Sequence, residues 1–142
     1  PVVLLLLWWK QPAFGRRGYW MRLVLSAGLT TAVVQVTKAQ VNRQRPGAVI
    51  AKVRTLPGGH LRAKAFPSGH TATAAWVAGA LWFIARLGPM AFIFLMLSAA
   101  VAWSRVAIGA HWPSDVAVGW MLGFMIPALA AMGRRRHPET ER

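Results

Sequence analysis

Four stretches of this chain carry no Lys, Arg, Asp or Glu, and they leave few folds open. Ala65–Ala85 runs for 21 residues, Leu87–Ser104 and Val116–Gly133 for 18 each, and Leu23–Thr37 for 15. The last of these extends to Tyr19 if Arg22 snorkels toward the interface. About 18–20 apolar residues cross the hydrocarbon core of a bilayer. A soluble helical bundle needs a polar face on every helix, and these blocks lack one. Hydrophobic residues make up 56% of the chain, above the roughly 45–50% of ordinary soluble domains. The pattern predicts an all-α fold, a polytopic transmembrane helix bundle with four complete spans.

At 142 residues the chain is expected to form one domain. It opens at Pro1 with "PVVLLLLWW", nine apolar residues, too short to span. With no basic stretch before it, this reads as the tail of a helix whose start is missing rather than as a signal peptide. Residues 1–133 are therefore assigned to one membrane-embedded domain and residues 134–142 to a basic polar tail. The net charge of +14 would point a soluble protein toward nucleic acid. In a membrane bundle, basic loops instead face anionic headgroups and set topology, so no nucleic acid partner is expected. The absence of cysteine excludes disulfides and thiolate metal ligands. Most of the eight Trp lie near the ends of apolar blocks, as interfacial belts require.

The remaining polar residues sit where helices meet loops. Asp115 is the one internal acid of three, and it lies four residues after His111. Pro113 suits the first turn of the last helix, which places Asp115 in that turn, favoured by the helix dipole. If the chain bends back there, the carboxylate can take the proton of one His111 ring nitrogen and leave the other free for attack. Alone, His-x-x-x-Asp reads equally as a cap beside an interfacial histidine. In "FPSGH" (Phe66–His70), Ser68 can cap the helix that follows, and Gly69 admits a ligand close to the backbone. Free amides at that helix end bind phosphate, with His70 in the first turn beside it. Lys38, Arg45 and Arg105 are cations at helix-to-loop transitions; singly, each reads as a membrane-boundary anchor. Counting spans places all of these clusters on one side of the membrane. Together they suit phosphoryl transfer, where charge stabilisation and positioning dominate.

Lys-x6-Arg-Pro (Lys38, Arg45, Pro46), Pro-Ser-Gly-His (Pro67–His70) and Ser-Arg-x5-His-x3-Asp (Ser104, Arg105, His111, Asp115) resemble, in order, the three signatures of the type 2 phosphatidic acid phosphatase and vanadium haloperoxidase superfamily. The resemblance runs from about Lys38 to Gly119 and favours the membrane lipid phosphatase branch, whose members carry about six spans. It implies that His111 takes the phosphoryl group as a phosphohistidine, that Asp115 orients it, and that His70 protonates the leaving alkoxide. It implies that Lys38, Arg45, Ser68, Gly69 and Arg105 hold the phosphate oxygens. His60, in the Gly/Pro loop "LPGGHLR", is read as a loop histidine or a substrate-side contact, and His137 falls in the tail.

The expected function is hydrolysis of a lipid phosphate or diphosphate: an isoprenoid diphosphate, phosphatidylglycerophosphate or phosphatidate. A phosphotransferase using the same residues, or a membrane protein with an unused site, are the other readings. Divalent-ion catalysis recruits carboxylates and this site offers only Asp115, so neither metal nor cofactor is expected. The expected partners are the lipid substrate and membrane lipids. The expected location is a bacterial inner membrane with the site facing the periplasm.

Overall fold

The computed structural model of the chain describes residues 16–50 and 63–132. The apolar segment Pro1–Trp9, the loop histidine His60, and the tail with His137 lie outside the described residues. All regular structure among the described residues is helical: α1 (Arg16–Gln40), the single turn α2 (Pro46–Val49), α3 (Gly69–Gly79) running on into a π-helical segment (Ala80–Ile84), α4 (Gly88–Ala107) and α5 (Pro113–Met132).

Two helices, α4 and α5, are long and apolar enough to cross a membrane. The other two expected spans depart from that criterion for different reasons. α1 has 25 residues, ample length, but Thr30, Thr31 and Gln35 interrupt its apolar run. The block Ala65–Ala85 becomes helical only at Gly69, because Ala65–Ser68 forms the turn that leads into α3. In both segments polar residues displace apolar ones where they line a cavity (below).

Three hydroxyl groups inside α1 are satisfied within the helix. Ser26 Oγ donates to Leu23 O at 3.1 Å, Thr30 Oγ1 to Ser26 O at 2.8 Å and Thr37 Oγ1 to Val33 O at 2.7 Å. Such back-bonding lets polar residues sit in an apolar helix without a bare hydroxyl. Ser26 Oγ also accepts the indole N–H of Trp76 at 3.1 Å, which ties α1 to α3. In the same manner Trp120 of α5 donates to Ser98 of α4 at 3.0 Å.

α3 is the central helix, and it packs most extensively on α5. Gly119 and Gly123, four residues apart on α5, make this possible. A Cβ on Gly119 would lie 2.5 Å from the carbonyl oxygen of Ser68, and one on Gly123 would overlap the carbonyl of Ala72. Small residues at this spacing let two helix backbones approach closely. On the other side of the contact, a Cβ on Gly79 would lie 2.9 Å from the Phe124 carbonyl oxygen. Below it, Phe124 stacks on Trp120 and meets Phe83 edge-on, each with centroids 5.1 Å apart. A second cluster of Tyr19, Leu23, Leu81, Ile84 and Ala91 joins α1, the π segment and α4.

The outer faces are apolar. Met21, Val24, Leu25 and Leu29 of α1, Phe92, Met96 and Trp103 of α4, and Met121, Met125 and Leu129 of α5 are all exposed. Water does not favour a belt of this extent around a helical bundle, whereas lipid does.

Candidate active site

The loop ends converge at one end of the bundle, where α1 and α4 finish and α3 and α5 begin. Backbone bonds knit them together. Ser68 N–H donates to Asp115 O at 2.9 Å, Gly47 N–H to Gly109 O at 3.0 Å and Ala65 N–H to Arg43 O at 3.0 Å. Gly109 has φ 66, the left-handed conformation that glycine adopts without strain. It turns the chain off α4, so that the amides of Ala110 and His111 fall back on the carbonyl of Arg105.

His111 is buried, only 2% exposed. Its Nδ1 lies 2.6 Å from the carbonyl oxygen of Ala65. A carbonyl only accepts, so Nδ1 carries the proton and the Nε2 lone pair remains free. The hydrogen bond of this ring to the described residues is made by Nδ1. Burial pushes this imidazole from 6.5 down to about 4; the charges of Arg45 and Lys38 act in the same direction, against the opposing pull of the Ala65 carbonyl and Asp115. The ring is neutral at physiological pH.

Asp115 sits in the first turn of α5, as expected, and is fully buried. It does not take the His111 proton, however: the nearest approach, Oδ2 to Nδ1, is 3.9 Å. Each carboxylate oxygen has another donor. Arg43 Nη1 reaches Oδ1 at 2.7 Å, and the Trp112 amide reaches Oδ2 at 2.8 Å. The direct His–Asp bond anticipated from the sequence is therefore replaced by two other contacts, a main-chain carbonyl on the histidine and an arginine on the acid.

Arg43 is the site residue that the sequence analysis missed. Its Nη1 also donates to Ser114 Oγ at 2.8 Å, and its guanidinium carbon lies 5.4 Å from the Trp112 ring centroid. Its partner Asp115 lies 72 positions away, and no local pattern in the sequence marks the pair.

The other expected residues come together here. Arg45 donates from Nη1 to Ala110 O at 3.2 Å and from Nε to Ala63 O at 3.4 Å. Both partners are neutral; Asp115 acts on its charge without forming an ion pair with it. Arg105 donates to Ser104 Oγ at 3.3 Å. The charges of Arg105, Lys38 and Arg45 all act on the His70 ring. Among the described residues these three cations meet no carboxylate, since Asp115 is paired with Arg43. Ser68 occupies the N-cap position of α3 as expected, but its Oγ bonds Thr71 Oγ1 at 2.9 Å rather than a backbone amide. The amides of the first turn therefore remain free of a side-chain cap. A Cβ on Gly69 would lie 3.8 Å from Lys38 Nζ, which shows how near the lysine comes to that helix end.

Lys38, Gly69 and His70 line the mouth of a cavity of about 560 Å³. It continues between α1, α3 and α4 past Thr30, Val34, Thr73 and Val77. One end of this cavity is cationic and the other is apolar and hydroxylic.

The PAP2 superfamily profile matches residues 19–137. The chain is 34% identical over 114 residues to decaprenylphosphoryl-5-phosphoribose phosphatase of Mycobacterium tuberculosis, covering 80% of this chain and 60% of that protein. It is 30% identical over 134 residues to undecaprenyl-diphosphatase of Sulfolobus acidocaldarius, covering 92% and 60%. Over 70 residues it is 40% identical to phosphatidylglycerophosphatase B of Escherichia coli, covering 46% and 27%. The chain thus spans about 60% or less of the length of these relatives. The crystal structure of Aquifex aeolicus LpxE superimposes with a TM-score of 0.71 at 23% identity, covering 92% of this chain and 84% of that one, so the two share a fold. A match over so much of the chain, on the three motifs whose side chains converge in space, makes this protein a member of the PAP2 superfamily.

Proposed function

We propose that this protein is an integral membrane phosphatase that hydrolyses a lipid phosphate or diphosphate through a phosphohistidine on His111, without a metal ion. The observation that carries the proposal is the charge balance of the site. The one acid among the described residues is paired with Arg43, and Lys38, Arg45 and Arg105 stand around His70 and His111 without an ion-pair partner among those residues. An anion with several oxygens is the complement of that arrangement.

In this mechanism Lys38, Arg45 and Arg105 grip the phosphate oxygens, together with the amides at the start of α3 around Ser68 and Gly69. Nε2 of His111, made available by the Nδ1–H bond to Ala65, attacks phosphorus. The P–O bond to the lipid breaks, and His70, exposed at the cavity and protonated from solvent once the bound phosphate anion offsets the charges of Arg105, Lys38 and Arg45 around it, gives that proton to the departing oxygen. His70, now neutral, accepts a proton from water as that water attacks the phosphohistidine. Phosphate departs and His111 is restored. Asp115 supports His111 through the Trp112 amide next to it and through its charge.

The cavity supports a lipid substrate, because its walls leave the cationic end for the hydrophobic part of the bundle. We place α1 through α5 in a membrane with four spans, α3 being shielded at the centre by its neighbours. Residues 1–133 would form the membrane-embedded phosphatase domain and residues 134–142 a polar tail. The relatives act, by their names, on decaprenylphosphoryl-5-phosphoribose, undecaprenyl diphosphate and phosphatidylglycerophosphate, and lipid phosphates of these kinds, with phosphatidate, are the candidate substrates. Phosphate release by the purified protein from a panel of these lipids in micelles is the test. Failure to release phosphate from any of them would reject the proposal.

A further inference from the structure

The orientation of His111 depends on two contacts, and both lead back to one residue at an unspecified position of the first motif. Ala65, whose carbonyl holds Nδ1 at 2.6 Å, is itself fixed by the bond from its own amide to the carbonyl of Arg43 at 3.0 Å. Asp115, whose Oδ2 holds the Trp112 amide beside His111, is fixed at Oδ1 by the Arg43 guanidinium at 2.7 Å. The main chain of Arg43 thus supports one contact and its side chain the other.

We propose that Arg43 is the positioning residue of the nucleophile: it locks His111 in place through Asp115 and Ala65 and is not a ligand of the phosphate. Two observations separate it from Lys38, Arg45 and Arg105. Its charge is paired with Asp115, whereas theirs make no ion pair among the described residues. Its Nη1 is shared between Asp115 and Ser114, and its guanidinium lies against Trp112. Asp115 is fully buried while the Arg43 side chain is 39% exposed. Arg43 therefore covers the acid from the outside, and without it an unpaired carboxylate would sit next to the nucleophile. Such an uncompensated charge is costly and rearranges its surroundings.

This inference rests on the phosphohistidine mechanism, and the experiment keeps the two apart. Phosphatase kinetics and vanadate inhibition are measured on purified wild type, Arg43→Ala, Arg43→Lys, Asp115→Asn, the double variant Arg43→Ala with Asp115→Asn, and His111→Ala. A misplacement of about 1 Å costs roughly 100-fold in rate, so Arg43→Ala should lose about 100-fold in kcat while KM and the vanadate inhibition constant stay within about threefold. Arg43→Lys should recover most of the loss, because both bonds originate from one nitrogen that an ammonium can replace. The double variant should be no slower than Asp115→Asn alone, since residues acting through each other are not additive. It also carries no unpaired buried charge, so it keeps the test open if Arg43→Ala does not fold. Wild-type kcat in Arg43→Ala overturns the inference, as does a loss confined to KM and vanadate binding, which would make Arg43 a phosphate ligand. Additive losses in the double variant overturn it too. An active His111→Ala instead removes the mechanism beneath it, whatever Arg43 does.

Discussion

His111 gives its Nδ1 proton to the carbonyl oxygen of Ala65 across 2.6 Å. That bond joins the third motif to a residue two positions before the second, and it sets the tautomer that the proposed nucleophilic attack needs. A main-chain carbonyl in this role cannot take the proton away, so in the proposed mechanism the imidazole keeps Nδ1–H throughout.

The nucleophile assignment is the first consequence to test. His111→Ala should abolish turnover, and acid-labile phosphate trapped on the wild-type protein should be missing from the variant. Asp115→Asn should fold and slow the reaction by orders of magnitude, by analogy with hydrolytic triads. Here the loss would arise from weaker hold on Arg43 and on the Trp112 amide. Near wild-type hydrolysis by His111→Ala would exclude the mechanism.

The second concerns pH. Burial first, then Arg45 and Lys38, lower the His111 ring to about 4, against 6.5 for a free imidazole. In the folded protein the ring therefore stays neutral and nucleophilic down to about pH 4. The unfolded chain binds a proton at 6.5 that the folded one refuses until about 4. Stability from this group is thus complete above pH 6.5 and declines as pH falls through that window. Histidine ¹⁵N NMR in micelles should show one ring titrating near 4, absent in His111→Ala, and thermal midpoints should drop between pH 6.5 and 4. A His111 resonance titrating at 6.5 would contradict the buried geometry.

The third tests the close helix contact that delivers His70 and Ser68 to the site. Gly119→Ala places a methyl 2.5 Å from the Ser68 carbonyl oxygen, a backbone atom that cannot swing aside. Overpacking of this kind costs about 1–3 kcal/mol, and here it pushes the start of α3 away from Asp115. Activity should fall together with the thermal midpoint. Gly28→Ala is the control, since a Cβ there meets nothing within 4 Å; a helix-interior alanine gains roughly 0.5–1 kcal/mol over glycine. Equal effects from the two substitutions would show that α3 and α5 do not meet at Gly119.

The fourth concerns ions. A magnesium or zinc site for phosphate chemistry draws on carboxylates, and both oxygens of Asp115 already have donors. Activity should survive excess EDTA, and vanadate, which mimics the trigonal phosphoryl group, should inhibit. An absolute magnesium requirement would show that the donor set has been misassigned.

How much of this could be read from the chain follows from which contacts are local. Charge-free blocks identify helices because apolar length is a property of sequence alone. The first-turn placement of His70 and Asp115 follows from Pro113 and from Pro67–Gly69, which act on their immediate neighbours. Span boundaries were less legible, because the block Ala65–Ala85 hides a turn at Ala65–Ser68 that hydropathy cannot register. The Arg43–Asp115 pair joins residues 72 positions apart, and no local pattern marks it. The Ala65 carbonyl was invisible for a further reason: main-chain acceptors are identical at every residue.

The last prediction is sidedness. Counted along the sequence with spans alternating, Lys38, Arg43, Arg45, Lys52, Arg54, Arg62, Lys64 and Arg105 are expected on the side of the site, eight in all, and Lys10, Arg16, Arg17, Arg22, Arg86, Arg134, Arg135, Arg136 and Arg142 on the opposite side, which is nine. Nine against eight decides nothing by the positive-inside rule. On the proposed mechanism phosphate binding accounts for Lys38, Arg45 and Arg105, and Arg43 is paired with Asp115, which leaves nine against four. The basic residues around "GRRG" and "RRR" also lie close to helix ends, where the rule carries most weight. The tail is therefore expected in the cytoplasm and the site on the outer face, toward the periplasm. Single cysteines at Ser114, which is exposed beside the site, and at Thr140 can be tested with an impermeant thiol reagent, since the chain has no native cysteine. In intact cells the reagent should label the Ser114 variant and spare the Thr140 variant until the membrane is opened. The opposite pattern would place the site in the cytoplasm and require a substrate delivered from the inner leaflet.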